Sequence, residues 1–198
     1  MTPAERLAAL RTALRDARVD GFLVPRADEH LGEYVPPSGE RLAWLTGFTG
    51  SAGVALVLDD RAALFTDGRY TTQARQQLDP AHWELRHITE QPAVEWLREH
   101  AAGRRIGYDP WLHPEAALTR LASAGVTLVP LRQNPLDAVW ADRPAPPLAP
   151  AVPHALEHAG MLAAEKRGAA AKALREAGED AAILADSRKY QALVSTQL

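Results

Sequence analysis

The sequence predicts an α/β fold: a mixed, mostly parallel sheet with one β-hairpin, flanked by helices. Three observations carry this. Short apolar runs alternate with helix-period segments over the first 140 residues or so, the pattern of strands and helices that share one sheet. Asp59-Asp60-Arg61 separates the runs 54–58 and 62–66 and so forces an antiparallel hairpin. A chain of 198 residues with 46% apolar and 24% charged side chains has a globular composition.

The first helix opens at Thr2 and Glu5, a T-x-x-E capping box, with Pro3 at the first helical position, where a missing N–H costs nothing. Leu7, Leu10, Leu14 and Ala17 fall on one face. Gly21 to Val24 reads as a buried strand, and a polar, Pro-rich loop runs from Arg26 to Glu40. Arg41 to Leu45 is ambiguous between helix and strand, and the Gly-rich run 46–53 is irregular. Asp67-Gly68 turns the chain into a short helix carrying Tyr70, Ala74 and Leu78. The run 82–88 alternates like a strand, Pro92 starts a helix, and 104–108 is a strand. Pro114 starts a further helix that Gly125 caps, and 126–130 is the sixth strand.

Residues 142–153, DRPAPPLAPAVP, hold five prolines in twelve positions and read as a semi-rigid connector. Beyond it the opening of the chain recurs. Shifted by 160 positions, residues 4–24 and 164–184 share eight of 21 identities, with Asp20 and Asp180 at the same helix-to-strand turn. That is an internal repeat, and it predicts a strand at 181–184. The expected organisation is a first domain over 1–141, a linker over 142–154, and the truncated start of a second similar domain over 155–198.

A net charge of −3 with both signs interspersed argues against a nucleic-acid or anionic-membrane partner. No run of 18 uncharged apolar residues exists, so no membrane-spanning helix is expected. The absence of cysteine excludes a disulfide scaffold, a thiolate zinc site and a cysteine nucleophile. The N-terminal segment lacks the apolar core of a signal peptide, so a cytoplasmic location is expected. Nineteen arginines against three lysines suggest a GC-rich bacterial source.

Few motifs carry chemistry. Gly47, Gly50 and Gly53 match neither nucleotide-loop pattern, and Ser51 sits in T-G-S-A-G rather than G-x-S-x-G. His154 and His158 lie four apart without the H-E-x-x-H glutamate, and Asp28-Glu29-His30 places three polar groups in awkward succession for one metal ion. Asp67-Gly68-Arg69-Tyr70 follows a strand and opens a helix, where α/β proteins place functional residues. An equal alternative is that Asp67 merely caps the helix through the amide of Arg69 or Tyr70.

The ordered set EYVPP, WLTGFTGSAG and TDGRY, followed by IGYDPWLH and NPLDAVWADRPAPP, resembles the N-terminal region of the Xaa-Pro aminopeptidase (aminopeptidase P) branch of the creatinase/prolidase superfamily. The resemblance is to the three-domain cytosolic type, whose first two domains share a fold. It implies a hydrolase that removes the residue preceding proline from peptides. The catalysis belongs to a C-terminal domain holding two metal ions, usually manganese, which this chain does not reach. No catalytic, metal or cofactor residue is therefore expected here, and the isolated chain is expected to be inactive. The resemblance further implies a homodimer in which these domains border an active site, with Trp44, Asp67, Arg69 and Tyr70 as the residues at that border. Arg69 would meet a peptide carboxylate or a partner acid. The alternatives are a stand-alone binding domain or the front of a creatinase-like amidinohydrolase.

Overall fold

The structure, a computed structural model, describes residues 1–150, 152–184 and 196–197. The chain divides into two compact units. One comprises residues 1–29 and 33–146, the other residues 30–32 and the chain from 147 onward.

The first unit begins with α1 (Pro3–Asp16), whose capping box is complete: Thr2 accepts from Glu5 N and Glu5 accepts from Thr2 N. Six strands follow at or within two residues of their expected limits: β1 (Gly21–Pro25), β2 (Val54–Leu58), β3 (Ala62–Thr66), β4 (Glu84–His87), β5 (Arg105–Tyr108) and β6 (Thr127–Pro130). They form one sheet in the order β4-β3-β2-β1-β5-β6. β1, β2 and β3 pair antiparallel, while β3–β4, β1–β5 and β5–β6 pair parallel. Between the strands lie α2 (Arg41–Thr46), α3 (Thr71–Gln77), α4 (Ala93–His100) and α5 (Glu115–Ala122). After β6 comes α6 (Pro135–Val139), which the sequence reading had not marked. The ambiguous run at 41–45 is helical, and Gly47 ends it at φ +80°, a conformation glycine adopts without strain. The helix after Asp67 begins at Thr71, so Tyr70 precedes it rather than riding on it.

Successive strand residues point to opposite faces, and both faces are buried. Phe22, Val24, Ala55, Val57 and Leu64 join Leu7, Leu10, Leu14, Leu45, Leu136 and Trp140 on the side of α1, α2 and α6. Leu23, Leu56, Leu58 and Phe65 join Trp96, Leu97 and Ala124 on the side of α4 and α5. This two-sided burial explains why the strands read as continuous apolar runs rather than alternating ones.

His113 follows β5 and is largely buried against Tyr108, their rings edge-on at 5.8 Å. Its Nδ1–H donates to the Asp109 carbonyl at 3.0 Å, and its buried Nε2 has no partner. Burial favours the neutral ring and depresses the pKa, outweighing the opposite pull of Asp109. The folded state therefore binds its proton at lower pH than the unfolded chain. The stability that His113 contributes is complete above the unfolded value of about 6.5 and is lost as pH falls toward the folded value. We expect His113→Gln to flatten this part of the stability curve in urea titrations between about pH 5 and 7. An unchanged slope would contradict the assignment.

In the second unit, α7 (Leu156–Ala159) and α8 (Ala163–Ala177) bury no residue, and β7 (Val152–Pro153) pairs antiparallel with β8 (Thr196–Gln197). Leu162 N donates to Glu165 at 3.1 Å, as Thr2 N does to Glu5 at 2.7 Å 160 positions earlier. The helix ends also correspond. Val19 N bonds Leu14 O and Glu179 N bonds Leu174 O, with Arg18 at φ +56° and Gly178 at φ +74°. The expected strand at 181–184 is not formed: these residues are exposed, Ile183 at 95%. A strand needs a neighbour's ladder of hydrogen bonds, and no described residue supplies one here. The sequence after 184 lies outside the described residues except for 196–197. With no buried face, α8 has little beyond its own hydrogen bonds to hold it. In the isolated chain its amides should exchange with deuterium faster than those of β2 and β3. Equal protection would show that its apolar face is covered.

Candidate functional site

Thr66, the last residue of β3, donates its hydroxyl proton to Ala52 O at 2.6 Å, tying the strand end to the Gly-rich loop. Asp67 comes next and turns back on Arg69, accepting from its amide at 2.9 Å, its Nε at 3.0 Å and its Nη2 at 2.7 Å. These bonds hold the Asp67 carboxyl below its ordinary pKa, the guanidinium contributing most. Asp67 caps this turn and not α3, whose cap position is Tyr70. The Arg69 guanidinium carbon lies 5.2 Å above the Tyr70 ring. Tyr70 meets Phe48 edge-on at 5.9 Å, and its hydroxyl is 2.5 Å from Ser51 Oγ. That bond lowers the Tyr70 pKa. Gly50 makes room for this arrangement, because a Cβ there would overlap Phe48 and lie 2.8 Å from Tyr70 Cδ1.

Asp67, Arg69 and Tyr70 thus form one small surface cluster, Arg69 exposed and the other two half-buried, but Trp44 does not join it. Trp44 is 9% exposed and stacks on Trp140 at 5.1 Å, with the Arg6 guanidinium 4.8 Å from its ring on α2. It is a core residue that fastens α2 to the chain after α6. Arg69 is not a free fork either: its Nε and Nη2 already hold Asp67, which leaves the Nη1 edge for an incoming carboxylate.

A second polar assembly joins residues that the sequence reading had not brought together, although Asp109, Trp111, Asn134, Asp137 and Arg143 lie in the motifs IGYDPWLH and NPLDAVWADRPAPP. Arg41, 2% exposed, donates from Nε and Nη2 to the two Asp137 oxygens at 2.7 and 3.0 Å, and from Nη2 to Glu29 at 3.2 Å. Arg143 adds a 2.7 Å contact to Asp137. Burial alone would lower the Arg41 pKa, but Asp137 and Glu29 raise it. Beside this pairing opens a cavity of about 400 Å³ that Asp109, Trp111, Arg132 and Asn134 also line.

Neither assembly can hold a metal centre. Among the described residues no group of three or more His, Asp or Glu could hold an ion. Glu29 turns to Arg41, and His154 and His158 stand together, ring centroids 5.6 Å apart, without a third ligand. No helix of the described residues is long and apolar enough to cross a membrane.

Known proteins carry the same architecture. The chain is 40% identical over 189 residues to a probable Xaa-Pro aminopeptidase P of Arthroderma otae, covering 91% of this chain and 30% of that protein. A probable Xaa-Pro aminopeptidase P of Coccidioides posadasii is 41% identical over 172 residues, 26% of its length. The chain therefore spans about 30% of the relatives it matches. The X-prolyl aminopeptidase of Caenorhabditis elegans, described as a cytosolic enzyme with a di-nuclear active site, superimposes with a TM-score of 0.84 at 33% identity. That match covers all of this chain and 35% of the other. The N-terminal domain of the cytoplasmic peptidase PepQ from Mycobacterium tuberculosis H37Rv shares the fold at a TM-score of 0.53 and 24% identity, over 68% of this chain and 97% of that one. The profile of the Creatinase/Prolidase N-terminal domain matches residues 6–139, more than half of the chain, and the chain belongs to that family.

Proposed function

We propose that this chain is the N-terminal, non-catalytic part of a metal-dependent Xaa-Pro aminopeptidase, acting on peptides with proline at the second position. The observation that carries the reading is its 40% identity, over 91% of its length, to about 30% of such a protein, together with the match of residues 6–139 to an N-terminal domain. The shared helix termini at a 160-residue offset support a second domain of the same kind beginning near residue 155, after a linker over 142–154. The two metal ions, manganese in this reading, belong to residues outside this chain. We further propose a cytoplasmic homodimer in which Asp67, Arg69 and Tyr70 border an active site.

The test compares the 198-residue chain with the product of the reading frame continued past codon 198. With Mn²⁺ present, only the longer product should release the N-terminal residue of an Xaa-Pro peptide. Release by the short chain alone would overturn the non-catalytic assignment. A frame that closes without a metal-binding domain would replace it with a stand-alone binding domain. In the longer protein, Arg69→Ala should lower kcat/KM for peptides without changing metal content. An unchanged kcat/KM would remove Arg69 from the border.

A further inference from the structure

Strands β1, β5 and β6 run parallel, so their carboxyl ends lie at one edge of the sheet. Glu29 follows β1, Asp109 and Trp111 follow β5, and Arg132 to Asn134 follow β6. All of them line the cavity of about 400 Å³. The chain also changes faces here. α5 packs with the Trp96 cluster on one side of the sheet, and α6 packs with the α1 cluster on the other. In open α/β sheets, ligands bind in the crevice outside the carboxyl ends of the parallel strands. The volume lies in the range of small-ligand sites.

The chemistry of the lining selects the ligand. Its three carboxylates are all engaged. Asp137 holds Arg41 and Arg143, Glu29 holds Arg41, and Asp109 accepts from Trp111 N at 3.0 Å and Asn134 Nδ2 at 3.0 Å. The donors are not all used. Arg132 is exposed and makes no ion pair among the described residues, whereas Arg41 Nη1 is shielded from solvent. Trp111 is 73% exposed, whereas Trp44, Trp83, Trp96 and Trp140 are each at most 9% exposed. An uncovered indole beside an unpaired, exposed arginine fits an acid with a flat apolar group next to it, because arginine pairs with carboxylates through two parallel bonds and indole faces stack on rings.

We infer that this cleft is a binding site for a small carboxylate carrying an adjacent aromatic or apolar group, with the carboxylate on Arg132 and the apolar group on Trp111. It does not depend on the aminopeptidase reading. The carboxylate is that of a free aromatic acid or of a peptide's C-terminal residue, and the two are separable.

The experiment follows the five indole N–H signals of the ¹⁵N-labelled chain during titration with phenylacetate, the peptide Gly-Gly-Phe and the peptide amide Gly-Gly-Phe-NH₂. The Trp111 signal, assigned by its loss in Trp111→Phe, should shift saturably with at least one acid below about 10 mM. The amide should bind about tenfold more weakly than its acid, and Arg132→Gln should weaken the acid by a similar factor. The four buried indole signals report that the variant remains folded. Tighter binding of Gly-Gly-Phe than of phenylacetate assigns the site to peptide C-termini, and the reverse order to free acids. No saturable shift, or equal shifts with acid and amide, would overturn the inference. The acid–amide comparison needs no variant and stands even if Arg132→Gln is perturbed.

Discussion

Asp137→Ala should destabilise the first unit by about 3 kcal/mol, among the larger losses expected of any single substitution here. Arg41 is the reason. Its side chain is 3% exposed, and two of its three nitrogens bond Asp137. Removing that carboxylate leaves a buried guanidinium with only Glu29, whose side chain is 46% exposed. Breaking a buried pair from one side costs more than removing both members, because the stranded charge has lost its water as well as its partner. Arg41→Met/Asp137→Leu should therefore recover most of the loss and fall within about 1 kcal/mol of the parent. Urea midpoints at constant m-value measure both. If Asp137→Ala costs no more than a surface substitution, Arg41 has found water, and the pair does not fasten α6 to α2.

That fastening is also what sequence reading missed. The six strands were legible because each is a short apolar run closed by turn residues, and both sheet faces are covered. α1 was legible from Thr2, Pro3 and Glu5, the groups that make its cap. α6 was not, since five residues, PLDAV, span barely more than one turn and show no period. Arg41 and Asp137 are 96 positions apart, and no local pattern joins them. The arginine-rich composition hid Arg41 further, since one arginine among nineteen carries no signal. At the proposed border, Asp67, Arg69 and Tyr70 were singled out by their place at a strand end and by the family resemblance. Trp44 was grouped with them by the resemblance alone, and an ambiguous run at 41–45 gives no indication of which face will be covered.

The second unit separates local from tertiary information in the same way. The 160-residue repeat reproduces a helix start at Leu162, held by Glu165, and a helix end at Gly178, since caps are made within a few residues. At the left-handed position the first copy has Arg18 and the second has Gly178, so the same helix end is reached with strain in one and without it in the other. The repeat does not reproduce the strand. Gly21 to Pro25 is a strand because β2 and β5 bond its two edges. Ala181 to Leu184 have similar apolar character and no such neighbours among the described residues. The contrast shows that strand formation here depends on partners rather than on propensity.

Trp140→Ala should cost about 3–5 kcal/mol, the range for truncating a buried tryptophan. Trp140 is 6% exposed, stacks on Trp44 with an interplanar angle of 20°, and closes α6 through its amide to Leu136 O at 3.0 Å. Truncation empties the space beside Trp44 and leaves one side of that indole without contacts. Trp140→Phe keeps an aromatic surface there and should lose less than half as much. The more discriminating measurement is the double variant Asp137→Ala/Trp140→Ala. Both residues anchor one short element, α6, which packs against α1 through the cluster that contains Leu136. Once the first substitution frees α6, the second has less native contact left to remove, so the combined loss should fall short of the sum by about 1 kcal/mol or more. Strict additivity in urea unfolding would mean that the ion pair and the ring stack hold independent parts of the structure. The picture of α6 as a single latch, fastened at Asp137 and at Trp140, would then fail.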